Sequence, residues 1–361
     1  MDQTNSKPRP LSRRKKILFA LITLTFTVIL IAAVTETLMR WSGFKAWTSP
    51  PLFVAIDPPG PYLRKHPTRG FAHVPGKFRL TLVRDYSFTV THGDDGLRIT
   101  HPLTTPISEA KKQIWIFGCS FTHGFSVSDE GTYPWILQSR LPDYEVVNFG
   151  TDGYGTVQSM IQFRETLRDG KKPALVVVAY AYFHDMRNAM TRTWRKDLSG
   201  NNRLDPISFP YARLNSDGKL IIVSEQLRYS GEFFLRHSAL LNYLDDRFNS
   251  YLEKKFDLTQ SGPSMTHEVS KAVLEEFWNE CKANGIRFIL AGISHDPRTA
   301  EMLNYFKNKG ASTVDISVDS SITENTNYPF DVHPSVRANT QSAQKLHAFL
   351  AEGFLDPLAP R

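Results

Sequence analysis

A serine, a carboxylic acid and a histidine that could act as one catalytic group stand at separate places in the sequence. Ser120 lies in GCSFTHG (118–124), directly after the short apolar run QIWIFG (113–118). A serine on a strand-to-helix turn projects its hydroxyl from the end of a sheet, with backbone N–H groups pointing the same way. That arrangement suits a nucleophile beside an oxyanion hole. After a second apolar run, EVVNFG (145–150), comes NFGTDGYGT (148–156), whose glycines let a backbone N–H approach a ligand closely. The third segment is DVHPS (331–335). Residues two apart in an extended segment face one side, so Asp331 could accept from a ring nitrogen of His333 and orient it. Nucleophile, orienting acid and general base then occur in the chain order Ser, Asp, His.

The remaining reactive side chains carry less. His295 in GISHDP reads as a loop histidine, and His123 could touch a substrate because it follows Ser120 closely. Tyr180, Tyr182 and Phe183 read as core and rim rather than as a sugar platform. The cysteines are Cys119 and Cys281 only, read as free thiols, and the eleven histidines show neither HExxH nor a Cys/His cluster. No metal and no cofactor is expected from that spacing.

Positioning these residues calls for a particular framework. From residue 111 onward, apolar strands alternate with amphipathic helices. ALVVVAY (174–180), RFILAG (287–292) and ASTVDI (311–316) join the two runs already named. YPWILQSRL, TVQSMIQFRETLRDG and stretches near 267–284, 297–309 and 336–353 have helical apolar spacing. The pattern predicts an α/β fold with a doubly wound parallel sheet of about five strands in three layers, and its site at the strands' C-terminal ends. Residues 186–265 interrupt the alternation with a hairpin around NSDG (215–218) and a long helix near 228–254, read as an insertion packed against the sheet. Before the sheet, residues 39–76 read as a Pro/Gly-rich stalk and lead-in, and 77–105 as a small β-hairpin annex.

With these blocks in place, the chain resembles the SGNH (GDSL-type) hydrolase superfamily, and more closely its bacterial membrane-anchored members. Those have a GDSFT-x-G block after the first strand, N-x-G-x-x-G-Y-G-T after the second, and a terminal D-x-H-P. The likeness extends weakly through HVPG…FTV…DGLR and covers roughly residues 70–350, with the hydrolase-like domain at 106–355. It implies Ser120 as nucleophile and first oxyanion donor, Gly153 as second donor, His333 as base and Asp331 as its orienting acid. Two departures stand out. The family's Asp before the nucleophile is Cys119 here, read as a structural buried thiol. The family's Asn, the third oxyanion donor, is best matched by His184 in AYAYFHDMRN, with Asn188 the weaker substitute.

Charge and hydropathy place the domain. The formal charge is +7, but residues 1–16 alone carry +5, leaving +2 for the other 345. A nearly neutral body argues against a phosphate-tracking surface, so no nucleic-acid partner is expected. After the basic tail (1–16), a run without charge from Ile17 to Thr35 is long enough to cross a bilayer, and residues 17–38 are read as an uncleaved anchor. Positive charge on the N-terminal side predicts a cytoplasmic N-terminus and a periplasmic or extracellular domain. The expected function is a membrane-anchored serine esterase or O-acyltransferase acting on acyl, foremost acetyl, esters of envelope glycans or lipids. The alternative is a catalytically weak or inactive binding or assembly subunit of a cell-surface polysaccharide system. Oligomeric state is not legible.

Overall fold

The computed structural model describes residues 12–49, 53–83, 85–105, 112–201, 204, 206–255 and 263–355. In chain order, α1 is Arg13–Trp41. Five short strands follow, β1 Ala55–Asp57, β2 Leu63–His66, β3 Gly70–His73, β4 Gly76–Thr81 and β5 Ser87–His92. The alternating part comprises β6 Lys112–Phe117, α2 Ser120–His123, α3 Tyr133–Gln138, β7 Tyr144–Asn148, α4 Thr156–Arg168, β8 Leu175–Tyr180, α5 His184–Asn188 and α6 Arg192–Asn201. Next come β9 Ser208–Leu214, β10 Leu220–Gln226, α7 Glu232–His237 and α8 Ala239–Lys255. The chain closes with α9 Pro263–Ala283, β11 Arg287–Gly292, α10 Pro297–Asn308, β12 Ser312–Asp315 and α11 Val336–Gly353. The chain divides into two units: residues 1–49 with 230–251, and residues 50–229 with 252–361.

The larger unit holds a five-stranded sheet in the order β12-β11-β8-β6-β7, with every neighbouring pair parallel. Counting only these strands, the order from the β7 edge is 2-1-3-4-5, the doubly wound arrangement that the strand–helix alternation predicts. After β7 the order of strand addition switches to the other side of β6, so β6 and β8 flank a switch point, and ligands bind outside the strand ends at such a point. Alternation along each strand builds the layers. Trp115, Phe117, Val176 and Val178 face one side and join Phe163 of α4 and Phe277 of α9 in one core. Ile114, Ile116, Leu175 and Val177 face the other and join Leu137 of α3 and Leu346 of α11 in a second. Because both faces are covered, the strands carry continuous apolar runs.

The segments around the sheet depart from the sequence boundaries. What reads as an irregular lead-in and a hairpin is a three-stranded antiparallel sheet, β1-β4-β5, with a β2-β3 hairpin beside it. The extra strands are only three or four residues long, too short to show a periodicity. Arg98 fastens this annex to the loop after Ser120. Fully buried, it donates to Asp129 Oδ1 at 3.1 Å and to the carbonyls of Thr89, His123 and Val127 at 3.1, 3.0 and 2.7 Å. A buried guanidinium is tolerable only when its donors are satisfied in this way.

The segment read as one insertion at 186–265 is divided: α6 and the β9-β10 hairpin belong to the larger unit, and 230–251 to the smaller. Its long helix is broken at Ser238, which has extended dihedrals between α7 and α8. In the smaller unit α1 has no buried residue and is apolar and long enough to span a bilayer. Its last turns are built into the fold. Glu36 accepts from the Ala239 and Leu240 N–H groups and the Ser238 hydroxyl, all at 2.8 Å, and from Arg40 Nε at 2.6 Å. Its carboxylate thus takes up orphan donors at the start of α8, where negative charge is favoured. Arg40 also donates to the His237 carbonyl, and the Trp47 N–H to that of Leu235.

Candidate active site

Ser120, His333 and Asp331 meet at the C-terminal edge of the sheet, next to the β6/β8 switch point. Ser120 is the first residue of α2, immediately beyond β6. Its Oγ lies 2.9 Å from His333 Nε2, and His333 Nδ1 donates to Asp331 Oδ1 at 2.6 Å. A carboxylate can only accept, so this bond fixes the proton on Nδ1 and leaves Nε2 free to accept from the serine. The imidazole is held between Phe125 and Phe121, at ring-centroid distances of 4.7 and 5.4 Å.

Asp331 is itself held. Its Oδ1 also accepts from the His333 N–H at 2.8 Å and the Ser126 hydroxyl at 3.0 Å. Burial raises its pKa, but these hydrogen bonds and His333 outweigh it and hold the carboxyl below the ordinary range. Ser126 has a left-handed φ of +62°, a conformation costing a non-glycine residue on the order of 1 kcal/mol. Asn327 Nδ2 offsets this by donating to the Ser126 carbonyl and hydroxyl at 3.0 and 2.7 Å. Nothing in the sequence pattern singles out Ser126 or Asn327.

The second block packs directly on the first. Asn148 at the end of β7 donates to the Thr122 carbonyl at 3.0 Å and accepts from the Gly150 N–H at 2.9 Å. A side chain at Gly150 would bring its Cβ to 2.3 Å from the His123 nitrogen, so only glycine lets the two turns approach. Gly153 takes a φ of +74°, and its N–H donates to no backbone acceptor among the described residues. That leaves it available to a ligand oxygen.

The remaining sequence candidates separate. Cys119 is wholly buried and burial pushes its thiol up, so it is protonated at neutral pH. His123 is also wholly buried, with Nε2 3.0 Å from His92 Nε2 and Nδ1 3.2 Å from Asp152 Oδ1, so its ring faces these neighbours and not a substrate. His295 is exposed, and Tyr182 is the exposed member of the aromatic run. Asn188 spends its amide on structure, accepting from the Val157 N–H at 3.1 Å and donating to Ser270 Oγ at 3.0 Å. His184 is 1% exposed, and neither ring nitrogen has a hydrogen-bond partner among the described residues. Burial, then the nearby Arg187, drives it far toward the neutral form.

Arg187 is the side chain that the sequence reading passed over. Its guanidinium lies over the rings of Phe183 and Trp194 at 4.6 and 4.8 Å, donates to the Tyr154 carbonyl at 2.9 Å and interacts with the Cys119 thiol. It therefore touches the residue next to Ser120 and the residue next to Gly153. The family motif at this strand end carries an amide, so a guanidinium there goes unmarked in the sequence. A cavity of about 640 Å³ lies elsewhere, lined by Arg69, His101, Trp115 and Glu145 among others, and includes none of the three central residues.

No protein-family model matches the chain, and no curated protein matches it. Solved structures do. A putative lipolytic protein of the G-D-S-L family from Desulfitobacterium hafniense matches at 13% identity and a TM-score of 0.37, covering 66% of this chain and 100% of its own. A GDSL-like lipase from Bacteroides thetaiotaomicron matches at 14% identity and a TM-score of 0.35, covering 69% and 90%. A G-D-S-L lipolytic protein from Veillonella parvula gives 11% and 0.38, covering 67% and 98%.

Proposed function

We propose that this chain is a serine esterase of the SGNH type, or an O-acyltransferase using the same site. The observation that carries this reading is the continuous hydrogen-bonded series Ser120 Oγ, His333, Asp331 beside the sheet's switch point. Ser120 Oγ attacks the ester carbonyl carbon while His333 Nε2 takes its proton. The oxyanion is received by the N–H groups of Ser120 and Gly153. Collapse of the tetrahedral intermediate breaks the ester C–O bond, and His333 returns the proton to the departing alkoxide. The acyl group stays on Ser120. Water, or a sugar hydroxyl, then gives its proton to His333 and attacks the acyl-enzyme, releasing an acid or a new ester.

Two side chains compete for the third donor. His184 is neutral, so one ring N–H is available to donate. Arg187 carries a permanent charge against both turns. The substrate class, acyl esters of envelope glycans or lipids, rests on the anchor. A binding or assembly role without catalysis fits less well, because such a role has no need for the three groups to stay at bonding distance.

The α1 helix acts as a retained anchor rather than a removed leader. Glu36 of α1 caps α8, and removing α1 would strip that cap. Treating the full chain in detergent with a fluorophosphonate probe tests the catalytic reading. One label on Ser120, absent from Ser120→Ala, is expected. A folded wild type that takes no label at Ser120 overturns the reading.

A further inference from the structure

An oxyanion donor acts only where its N–H meets the developing charge, and a loop supplies that precision only when its neighbours are locked in place. Gly153 is the third residue of a turn over 151–154, closed by the Tyr154 N–H donating to the Thr151 carbonyl at 3.2 Å. One end of this turn is tied to the nucleophile segment, since the Thr151 N–H donates to the Gly118 carbonyl at 3.1 Å. The other three residues, Asp152, Gly153 and Tyr154, are gripped from a distant part of the chain, the β2-β3 hairpin.

Phe71 and His73 lie two apart in β3, so their side chains share one face of the strand. On that face His73 Nε2 donates to Asp152 Oδ2 at 3.2 Å. The Phe71 ring lies against Gly153, where an added Cβ would stand 3.3 Å from Phe71 Cζ. The Tyr154 hydroxyl donates to the Phe71 carbonyl and also interacts with the guanidinium of Arg69, in the loop between β2 and β3. The rings of Tyr154 and Phe71 are 5.5 Å apart. Tyr62, whose carbonyl accepts from the Val74 N–H at 3.1 Å, adds its hydroxyl to Asp152 Oδ2 more loosely, at 3.4 Å. Tyr62, Phe71, His73 and Tyr154 are all buried. Hydrogen bonds shielded from water in this way are strong, and breaking one leaves a costly orphan.

We propose that the β2-β3 hairpin positions the second oxyanion donor, with Asp152 and Tyr154 as the positioning residues that fix the Gly153 N–H between them. The inference rests on the esterase reading given above and extends it, because it makes a segment ahead of the parallel sheet part of what sets the turnover rate. Arg187 braces the same turn from α5, through the Tyr154 carbonyl. Gly153 itself offers only a backbone N–H, so its aim is set by the residues on either side.

Tyr154→Phe and Asp152→Ala, each in the full chain purified in detergent, are compared with the wild type on a simple acetyl ester. Each should lower kcat about tenfold, a part of the 10²–10³-fold cost of losing a donor outright, with KM little changed. Asp152→Asn, whose amide oxygen still accepts from His73, should recover most of the loss. A boronic acid that adds to Ser120 as a tetrahedral anion reports on the donor's position. Its affinity should fall in proportion to kcat/KM, while the affinity for the ether analogue of the ester stays at the wild-type value. A purely architectural hairpin would lower Tm without that split. If Asp152→Ala fails to fold, Tyr154→Phe, which removes a single oxygen atom, decides. Folded variants with kcat within about twofold of wild type, far short of a donor effect, overturn the inference, as do boronate and ether affinities that fall together. An active wild type beside such variants leaves the esterase reading standing. A wild type with neither turnover nor a fluorophosphonate label on Ser120 removes the esterase reading and this inference with it.

Discussion

At the scale of single residues, the open question is which side chain supplies the third oxyanion donor. Removing one such donor typically lowers turnover about 10²–10³-fold, with KM changed much less, because the bond strengthens in the transition state. If His184 is the donor, His184→Ala falls in that range and His184→Asn recovers much of the loss. Burial keeps this ring neutral, so His184→Asn should leave the alkaline limb of the pH–rate profile unchanged. If Arg187 is the donor, Arg187→Ala shows the loss and His184→Ala stays within about threefold of wild type, well short of a donor effect. Turnover of a simple acetyl ester by the four proteins separates the two. Losses confined to neither residue would place the third donor elsewhere or nowhere.

At the scale of elements, the telling piece is α7 with α8. Phe233 and Phe234 are 67% and 63% exposed, and Leu241, Leu244 and Phe248 are also exposed. Those last three, at i, i+3 and i+7, share one face of α8. The same unit points to what could cover this stripe: its other part, α1, is long and apolar enough to span a bilayer. Hydrogen bonds from Glu36 and Arg40 tie the end of α1 to the α7–α8 junction, so if α1 spans a bilayer this stripe would lie at the depth of lipid headgroups and upper acyl chains. Aromatic residues and aliphatic faces settle at that depth. A tryptophan in place of Phe234 should then be quenched by lipids brominated near the headgroup in reconstituted vesicles. Emission unaffected by such lipids would mean the stripe meets water or protein instead.

At the scale of the whole molecule, the prediction is topological. With six basic residues among the first sixteen and a span directly after them, the N-terminus should remain cytoplasmic and everything beyond residue 41 should lie outside. A reporter active only outside the cytoplasm, fused after Arg361, should be active, and the membrane-extracted protein should retain its N-terminal tryptic peptides. An inactive fusion beside a working cytoplasmic reporter would sink the orientation, and with it the envelope-substrate reading. A mature chain beginning after α1 would instead sink the anchor.

The sequence by itself determined the doubly wound sheet, because strands buried on both faces must be continuously apolar and their covering helices must be amphipathic. RFILAG at 287–292 coincides with β11, and the final helix runs over 336–353 as its spacing predicts. It also brought out Ser120, Asp331 and His333, since a turn serine and an acid two residues from a histidine are local patterns. Tertiary structure alone decided what depends on contacts between distant segments. Arg187 reaches the Ser120 turn through the packing of α5, Ser126 meets Asp331 across 205 residues, and Glu36 caps a helix 203 residues away. The meeting of Phe71 and His73 with the turn at Gly153 is of the same kind. Periodicity encodes which face of an element is buried, but not which other element lies against it, and these sites are made of that second fact.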